Sequence, residues 1–186
     1  KEKLTFPEPQ YCMNDDDQFR LPDDCDECIR ELHSYWRSIR PGEGLPSRDD
    51  FDPLALSAEC WPYLWLLDVA HDPLRFRVRL MGTEITRYFR GEFTGKWLDD
   101  VLPNFEKLEE FAQFKGCVEK GAPDFLKIKV ANQSKIHWPG ERPRLEATPA
   151  AQRVCLPFAS DEGAVNVLLL LTRLPENRVN RSQLRL

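Results

Sequence analysis

The sequence lacks the short motifs and the extreme compositions that would identify a function directly. It contains no GxSxG, no P-loop and no dinucleotide-binding fingerprint, so nothing favours a hydrolase, a kinase or a transferase. No uninterrupted apolar run approaches the roughly 18 residues of a membrane-spanning helix, so we expect no membrane insertion. Lysine and arginine are not clustered and the net charge is −5. We therefore predict no nucleic-acid partner and no general binding of polyanions.

Cysteine is present but sparse for a disulfide-stabilised scaffold. Six cysteines occur in 186 residues, whereas small secreted domains built on disulfides are usually shorter and richer in cysteine. This favours a reduced, cytoplasmic protein. Cys25 and Cys28, with Cys12 and His33 nearby, could bind zinc or form a redox pair. We favour the alternative, in which both cysteines pack as small apolar side chains beside a helical stripe, and we predict no metal site.

The apolar content is sufficient for one folded domain. Hydrophobic residues make up 41% of the chain and aromatic residues 11%, and the length suits a single core. Residues 1–23 are acidic and show no apolar period, which predicts a flexible N-terminal arm. We place the folded domain at 24–174, with a long loop at 132–149 and a polar C-terminal tail at 175–186.

The first apolar period predicts an amphipathic helix from about residue 25 to residue 39. Asp24 is the expected N-cap, because Glu27 follows three residues later as in a capping box. Pro41 and Gly42 end the helix. One stripe of it is apolar and must be buried. We expect this stripe to cover a sheet, either in the same chain or in a second copy.

Five strand patterns follow this helix, with central helices at 83–102 and 105–119. The fifth strand is apolar on both of its sides, which indicates a strand that is covered on both faces of the sheet. The central helices can cover one face, and the N-terminal helix is left for the other. The predicted strands are Leu64–Val69, Leu74–Leu80, Phe125–Val130, Gln152–Ala159 and Ala164–Leu171.

The order of these elements resembles a PAS domain, and four motifs are similar to the bacterial PAS_5 family over about residues 28–172. The resemblance implies an α+β fold with a five-stranded antiparallel sheet in the order 2-1-5-4-3. Helices would cover one face of this sheet, and the N-terminal amphipathic helix would cover the other. The motifs are Tyr35-Trp36-Arg37, Leu45-Pro46-Ser47-Arg48 with Asp50-Phe51-Asp52-Pro53, FRVRLMGT at Phe76–Thr83, and Leu156-Pro157-Phe158 leading to Asn166.

Such a fold would place a small apolar pocket between the sheet and the central helices. The alternative is a plain core that large aromatic side chains fill. We predict no cofactor and leave an unknown small apolar ligand open. Haem is not expected, because His71 lies in a turn and His137 in a polar loop, and we assign Cys117 to packing. The candidate pocket residues are Phe76, Val78, Leu80, Ile85, Phe89, Phe111, Phe114, Ile128, Leu156 and Val167.

The second strand carries Arg75, Arg77 and Arg79 on the side opposite the pocket. These arginines could form an anion site, but we favour ion pairs with the acidic N-terminal helix. Such pairs would orient the helix more than they would stabilise it. The candidate interface residues are Ile29, Leu32, Trp36, Ile39, Arg77, Arg79, Leu168 and Leu170.

These features together predict a stand-alone bacterial PAS sensory or protein-interaction module rather than an enzyme. It would act in signalling by homo- or hetero-association, as a homodimer or with an unidentified signalling protein, and a signal would shift the packing of its N-terminal helix. One alternative is a ligand-free adaptor or structural interaction protein. Another is an enzyme on a PAS-like scaffold, for which the sequence places no polar cluster in the pocket.

Overall fold

The computed structural model describes residues 19–42, 44–128 and 151–174. The predicted arm as far as residue 18, the predicted loop at 132–149 and the predicted tail at 175–186 lie outside these residues, as do Cys12 and His137.

Five strands form one antiparallel sheet in the order β2-β1-β5-β4-β3, which confirms the predicted topology. The three strands at the centre of the sheet are β1, β5 and β4. Each of these strands is itself rich in apolar residues, as expected for strands that are covered on both faces of the sheet. The bounds are Leu64–Ala70 for β1, Arg75–Met81 for β2, Asp124–Ile128 for β3, Ala151–Ala159 for β4 and Val165–Arg173 for β5.

Within the described residues, four α-helices accompany the sheet: α1 at Glu27–Ser38, α2 at Thr83–Phe89, α3 at Leu98–Val101 and α4 at Glu109–Lys120. Short 3₁₀ turns lie between α1 and β1 and between α3 and α4. We name the sheet face under α2, α3 and α4 the inner face, and the face under α1 the outer face. Helix α4 packs against β3, β4 and β5 on the inner face, whereas α1 packs against β4 and β5 on the outer face.

The N-cap of helix α1 lies two residues later than predicted. Asp26 is the N-cap, and its carboxylate accepts a hydrogen bond of 3.0 Å from the backbone N–H of Cys28. Asp24 was therefore wrongly assigned as the cap, and it forms an ion pair of 2.6 Å with Lys127 instead. Because the two aspartates flank Cys25, either could satisfy the free N–H groups of the first turn. Their ion pairs with the sheet hold each aspartate in its place: Asp24 pairs with Lys127 of β3, and Asp26 pairs with Arg173 of β5.

Two hydrophobic clusters cover the two faces of the sheet, and β5 contributes to both. Leu168 and Leu170 are buried in the inner cluster, while Leu169 and Leu171 are buried in the outer cluster. This confirms the prediction of a doubly covered fifth strand. Since burying one leucine side chain contributes about 1.5–3 kcal/mol, β5 is a major source of the stability of the sheet.

A β-bulge between β1 and β2 places the side chain of Leu80, a predicted pocket residue, on the outer face of the sheet. Leu66 pairs with Leu80 and Leu67 pairs with Val78, so Arg79 is an extra residue in β2. An extra residue reverses the alternation of the side chains that follow it. Leu80 therefore lies on the outer face, where it is 47% exposed. Its prediction as an inward residue was wrong, and Met81 is the buried inward residue instead.

The end of β2 approaches the 3₁₀ turn at Trp61–Tyr63 so closely that it requires glycine. A Cβ atom on Gly82 would lie 2.3 Å from the carbonyl oxygen of Pro62. The backbone N–H of Gly82 donates a hydrogen bond of 2.7 Å to the carbonyl oxygen of Leu64. A larger residue would push α2 away from the start of β1.

Helix α1 packs on the sheet of its own chain and is fixed there by several kinds of contact. Ile29, Leu32 and Trp36 are buried in the outer cluster. The indole N–H of Trp36 donates a hydrogen bond of 3.0 Å to the carbonyl oxygen of Pro157 in β4. Asp26 forms an ion pair of 2.9 Å with Arg173 in β5. These contacts place the predicted apolar stripe in the interior of the chain.

A disulfide bond joins Cys28 of α1 to Cys60, 32 residues further along the chain. The prediction that these cysteines are reduced and serve only as apolar packing was wrong. Spacing along the sequence could not reveal this pair, because only the packing of α1 brings the two residues together. Since the sparse cysteine was the argument for a reducing setting, a cytoplasmic location stays a prediction.

Candidate functional site

The centre of the predicted pocket is filled with aromatic side chains. The ring of Phe76 lies 5.5 Å from that of Phe114, 6.0 Å from that of Phe111 and 6.2 Å from that of Phe105, in edge-to-face contacts. Trp65 meets Phe114 in the same way at 5.8 Å. These distances are typical of packed aromatic pairs. The space between the rings is therefore a filled core, which is the alternative that the sequence left open.

The structure brings together six of the ten predicted pocket residues and separates the others. Leu80 faces outward because of the bulge, and Leu156 and Val167 belong to the outer cluster. For Ile128, which ends β3, only the backbone is described. The residues that lie in or against the inner cluster are Phe76, Val78, Ile85, Phe89, Phe111 and Phe114.

The predicted facing of β5 was reversed. Leu168 and Leu170 were assigned to the interface on the outer face, but both are fully buried in the inner cluster. Val167 was assigned to the pocket and lies under α1. Alternation along a strand shows which residues share a face, but it does not show which layer of helices covers that face. Because both layers are apolar here, the alternation of side chains could not show which layer covers which side of β5.

A cleft of about 300 Å³ opens at the edge of the inner cluster, beside the turn between β1 and β2. Its size is at the lower end of the range for small-molecule sites. Its floor is aromatic and its rim is charged. We name it the edge cleft, and its lining residues are Pro73, Leu74, Arg75, Phe76, Asp99, Phe105, Glu106 and Phe111.

The guanidinium at the rim of this cleft is already paired. Arg75 lies 2.8 Å from Asp99 and 3.0 Å from Asp100, and it stacks 4.5 Å above the ring of Trp97. The hydrogen bond that Arg75 donates to the carboxylate of Asp99 is the main cause of the raised pKa of Arg75. A ligand that entered the cleft would therefore meet an apolar floor and a neutralised rim.

The arginines of β2 do not pair with α1, so that prediction was wrong. Arg79 forms an ion pair of 2.6 Å with Asp68 of β1, and Arg77 donates a hydrogen bond of 2.9 Å to the carbonyl oxygen of Gly95. The reason is that α1 lies over β4 and β5 and does not reach β2. Acidic groups at the start of α1 pair instead with Lys127 and Arg173.

Sequence reasoning missed a polar group inside the inner cluster. Arg153 of β4 is only 2% exposed, and its Nε–H donates a hydrogen bond of 2.9 Å to the hydroxyl of Thr172. The same hydroxyl accepts a hydrogen bond of 3.0 Å from the indole N–H of Trp65. The guanidinium lies 5.2 Å from the ring of Trp65 and 5.7 Å from the ring of Phe114. One feature of the sequence could have indicated this burial. Arg153 lies two residues before Cys155, so in a strand both side chains are on the inner face.

Two further polar side chains approach Arg153 from the helices. The carboxylate of Glu110 in α4 lies 3.8 Å from the Nη1 atom of Arg153, which is too long for a hydrogen bond. Burial lowers the pKa of Arg153, and the charge of Glu110 opposes this shift. In α2, burial raises the pKa of Tyr88 to about 12, against the effect of the charge on Arg153. Arg153, Glu110 and Tyr88 are therefore a polar group at the inner cluster that the sequence analysis did not identify.

The candidate zinc ligands of the N-terminal helix have other partners. Cys28 is in the disulfide, while Cys25 is a buried free thiol. His33 is buried between Phe19 and Trp36. Burial, and then the nearby charge of Arg37, lower its pKa to about 4. Within residues 19–42, 44–128 and 151–174, no three His, Cys, Asp or Glu side chains form a group that could hold a metal ion.

Cys117 lies in α4 with its thiol 3.6 Å from the carbonyl oxygen of Cys155, and both residues are buried. Burial raises the pKa of the Cys117 thiol well above its usual value, so the group is held as a neutral thiol. This surrounding is consistent with the packing role that we predicted.

The sheet order and the helices on its inner face define a PAS-type α+β fold. The model of a protein family described as "PAS domain", PAS_5, matches residues 26–135, which is more than half of the chain. The chain belongs to this PAS family, and its members are in general sensory and interaction modules rather than catalysts. Comparison with curated proteins finds no match. In the part of the chain that the structure describes, no helix is both long and apolar enough to cross a membrane.

Proposed function

We propose that this chain is a signalling module that transmits its signal by associating with a second copy of itself. The observation that carries the proposal is a group of exposed apolar side chains in the 3₁₀ turns that precede β1 and at the end of β2. Leu54 is 76% exposed, Leu80 is 47% exposed and Trp61 is 40% exposed. Exposed apolar groups of this size, when flanked by arginine, are typical of protein association surfaces.

The flanking arginines are Arg77 and Arg79 of β2. With Leu54, Trp61 and Leu80 they make up what we name the outer-edge surface. The indole N–H of Trp61 donates a hydrogen bond of 3.0 Å to the carbonyl oxygen of Pro53, next to Leu54. The following Pro62 lies against Gly82, two residues beyond Leu80. The apolar members therefore lie in one region of the molecule, at the free end of the outer face.

This proposal moves the association surface away from α1. The predicted interface residues Ile29, Leu32 and Trp36 are buried in their own chain, and Ile39 packs partly against them. The disulfide between Cys28 and Cys60 restrains any repacking of the helix. A signal that shifts α1 would have to break these contacts, whereas the outer-edge surface is accessible without any rearrangement.

The test is the self-association of the full chain in sedimentation equilibrium. We expect a reversible dimer that the Leu80→Ser variant weakens at least tenfold, since the loss of one buried leucine contributes about 1.5–3 kcal/mol. Lys115→Ser is the matched control, because Lys115 is similarly exposed on α4, on the opposite side of the sheet. A chain that stays monomeric, or a dimer that Leu80→Ser leaves unchanged, would exclude this function.

Sensing of a small apolar ligand is a second candidate function, and the edge cleft of about 300 Å³ favours it. Native mass spectrometry of protein purified from its own host is the test. Extra bound mass that disappears in the Phe105→Trp variant, which fills the cleft, would support it. A clean mass for the unmodified chain would favour the ligand-free adaptor instead.

A further inference from the structure

Arg153 carries a positive charge in a place that does not fully neutralise it. Arginine keeps its proton in proteins even when burial lowers its pKa, so a buried guanidinium needs an anion or a full set of acceptors. Thr172 supplies one neutral acceptor. Glu110 supplies a charge at 3.8 Å, beyond hydrogen-bond distance. The neutralisation of the cation is therefore incomplete.

Two hydrogen-bond donors near this charge have no acceptor. Within the part of the chain that the structure describes, the Nη1 atom of Arg153 and the hydroxyl of Tyr88 are both buried without a hydrogen-bond partner. The ring of Tyr88 packs on Phe89, Phe89 packs on Trp65, and Arg153 lies over the ring of Trp65, so both donors lie in the same part of the inner cluster. They come from β4 and α2, and Glu110 comes from α4. Buried donors are almost always satisfied, and such exceptions need an explanation.

We propose that Arg153 and Tyr88 form a binding subsite for the carboxylate of a small monoanionic ligand. The carboxylate of Glu110 serves as a placeholder that the ligand displaces. A carboxylate offers two acceptor oxygens, one for the guanidinium and one for the phenol. The rings of Trp65, Phe89 and Phe114 pack against one another here, so the apolar body of the ligand takes the path to the surface that the Glu110 side chain occupies now. This inference deepens the sensory role proposed above, but the binding itself does not depend on self-association.

The side chain of Glu110 is positioned so that it can rotate away from Arg153. It is the second residue of α4, and its side chain is 19% exposed, so a rotation brings its carboxylate into water. Tyr88 stays a neutral donor at physiological pH, because its pKa is raised to about 12. A dianion such as phosphate fits less well, because the guanidinium of Arg153 neutralises only one of its two negative charges.

The test uses purified full-length chain and a set of defined probes. Butyrate and benzoate are titrated against the chain, with butyramide and benzamide as neutral analogues of the same shape and inorganic phosphate as the competing anion. Binding is followed by calorimetry and by the fluorescence of tryptophan, because Trp65 lies against the guanidinium. We expect both carboxylates to bind saturably and the amides to show no binding.

Three variants separate a binding subsite from a merely structural ion pair. Glu110→Gln removes the placeholder and should strengthen carboxylate binding about tenfold, whereas Glu109→Gln, an exposed neighbour in the same turn, should leave it unchanged. Tyr88→Phe removes one donor and should weaken binding about tenfold. These substitutions are conservative, so the test does not depend on whether an Arg153→Met variant folds.

Equal binding of acids and amides would overturn the proposal, and so would binding that Glu110→Gln does not strengthen. Absence of carboxylate binding to both the unmodified chain and Glu110→Gln would also overturn it. Saturable binding of phosphate without carboxylate would exclude this ligand class. None of these results depends on the dimer, so a failure here is distinct from a failure in sedimentation.

Discussion

The two faces of the sheet are covered in different ways. On the outer face, α1 is held by a disulfide, by the hydrogen bond between Trp36 and Pro157, and by the ion pair between Asp26 and Arg173. On the inner face, short helices cover an aromatic cluster that contains the incompletely neutralised Arg153. In the described part of the chain, each layer contains a buried donor without a hydrogen-bond partner, Nε of Arg48 beside Phe51 in the outer layer and Nη1 of Arg153 in the inner layer. The layers differ in the disulfide that fixes the outer layer and in the buried charge of the inner layer. We therefore expect the inner layer to respond to ligands and the outer layer to stay fixed.

The largest effect should come from removing the indole that anchors α1. Trp36 is 1% exposed and fully packed in the outer cluster, so Trp36→Ala should lower the free energy of unfolding by about 3–5 kcal/mol. Urea denaturation measures this value. A loss below about 1 kcal/mol would mean that α1 does not pack on its own sheet.

Loss of the disulfide should have the next largest effect. Closing a loop of 32 residues restricts the unfolded chain, so the double variant Cys28→Ser/Cys60→Ser should lose roughly 3–4 kcal/mol. Urea denaturation under non-reducing conditions gives the value, and Cys25→Ser is the control because Cys25 is a free thiol. A chain whose stability a reductant does not change would show that the bond is not formed.

His33 should make the outer layer sensitive to acid. Its pKa falls from 6.5 to about 4 on folding because the side chain is buried. The unfolded chain therefore binds a proton that the folded chain excludes, and stability should decrease as the pH falls from about 6.5 to about 4. The full decrease is up to about 3 kcal/mol. His33→Phe should remove this part of the pH dependence, and an unchanged slope in that variant would contradict the assignment.

The smallest effect should come from an exposed pair on β1 and β2. Arg79 and Asp68 lie 2.6 Å apart, with side chains 49% and 31% exposed. Asp68→Asn should therefore change the free energy of unfolding by less than about 1 kcal/mol. A larger loss in thermal denaturation would show that this uncovered part of the outer face contributes more than its exposure indicates.

The strand order was predicted from the resemblance to PAS domains, whereas the layers on the two faces were predicted from patterns within single segments. The helical stripe of α1 and the two apolar sides of β5 each indicated burial, and together they placed a layer on each face. The facing of Leu80 could not be predicted, because it depends on an extra residue in the pairing between β1 and β2. The facing of Val167 and Leu168 could not be predicted either, since both covering layers are apolar.

The polar part of the candidate site escaped prediction for a related reason. Arg153 lies in a strand whose other residues are mostly apolar, so its burial depends on which way Cys155 and its neighbours face. Its partners Tyr88 and Glu110 are far away in sequence and come from two different helices. The disulfide between Cys28 and Cys60 likewise depends on tertiary packing. Patterns within one segment do not show which residues from distant segments come into contact.

The central claim is that the inner layer responds to a ligand while the outer layer stays fixed. Hydrogen exchange of backbone amides in the Glu110→Gln variant, with and without saturating benzoate, tests it most directly. We predict slower exchange in α2 and in the first turns of α4, and unchanged exchange in α1. Benzoate that alters exchange in α1 as strongly as in α4, or that alters it in neither helix, would contradict the account.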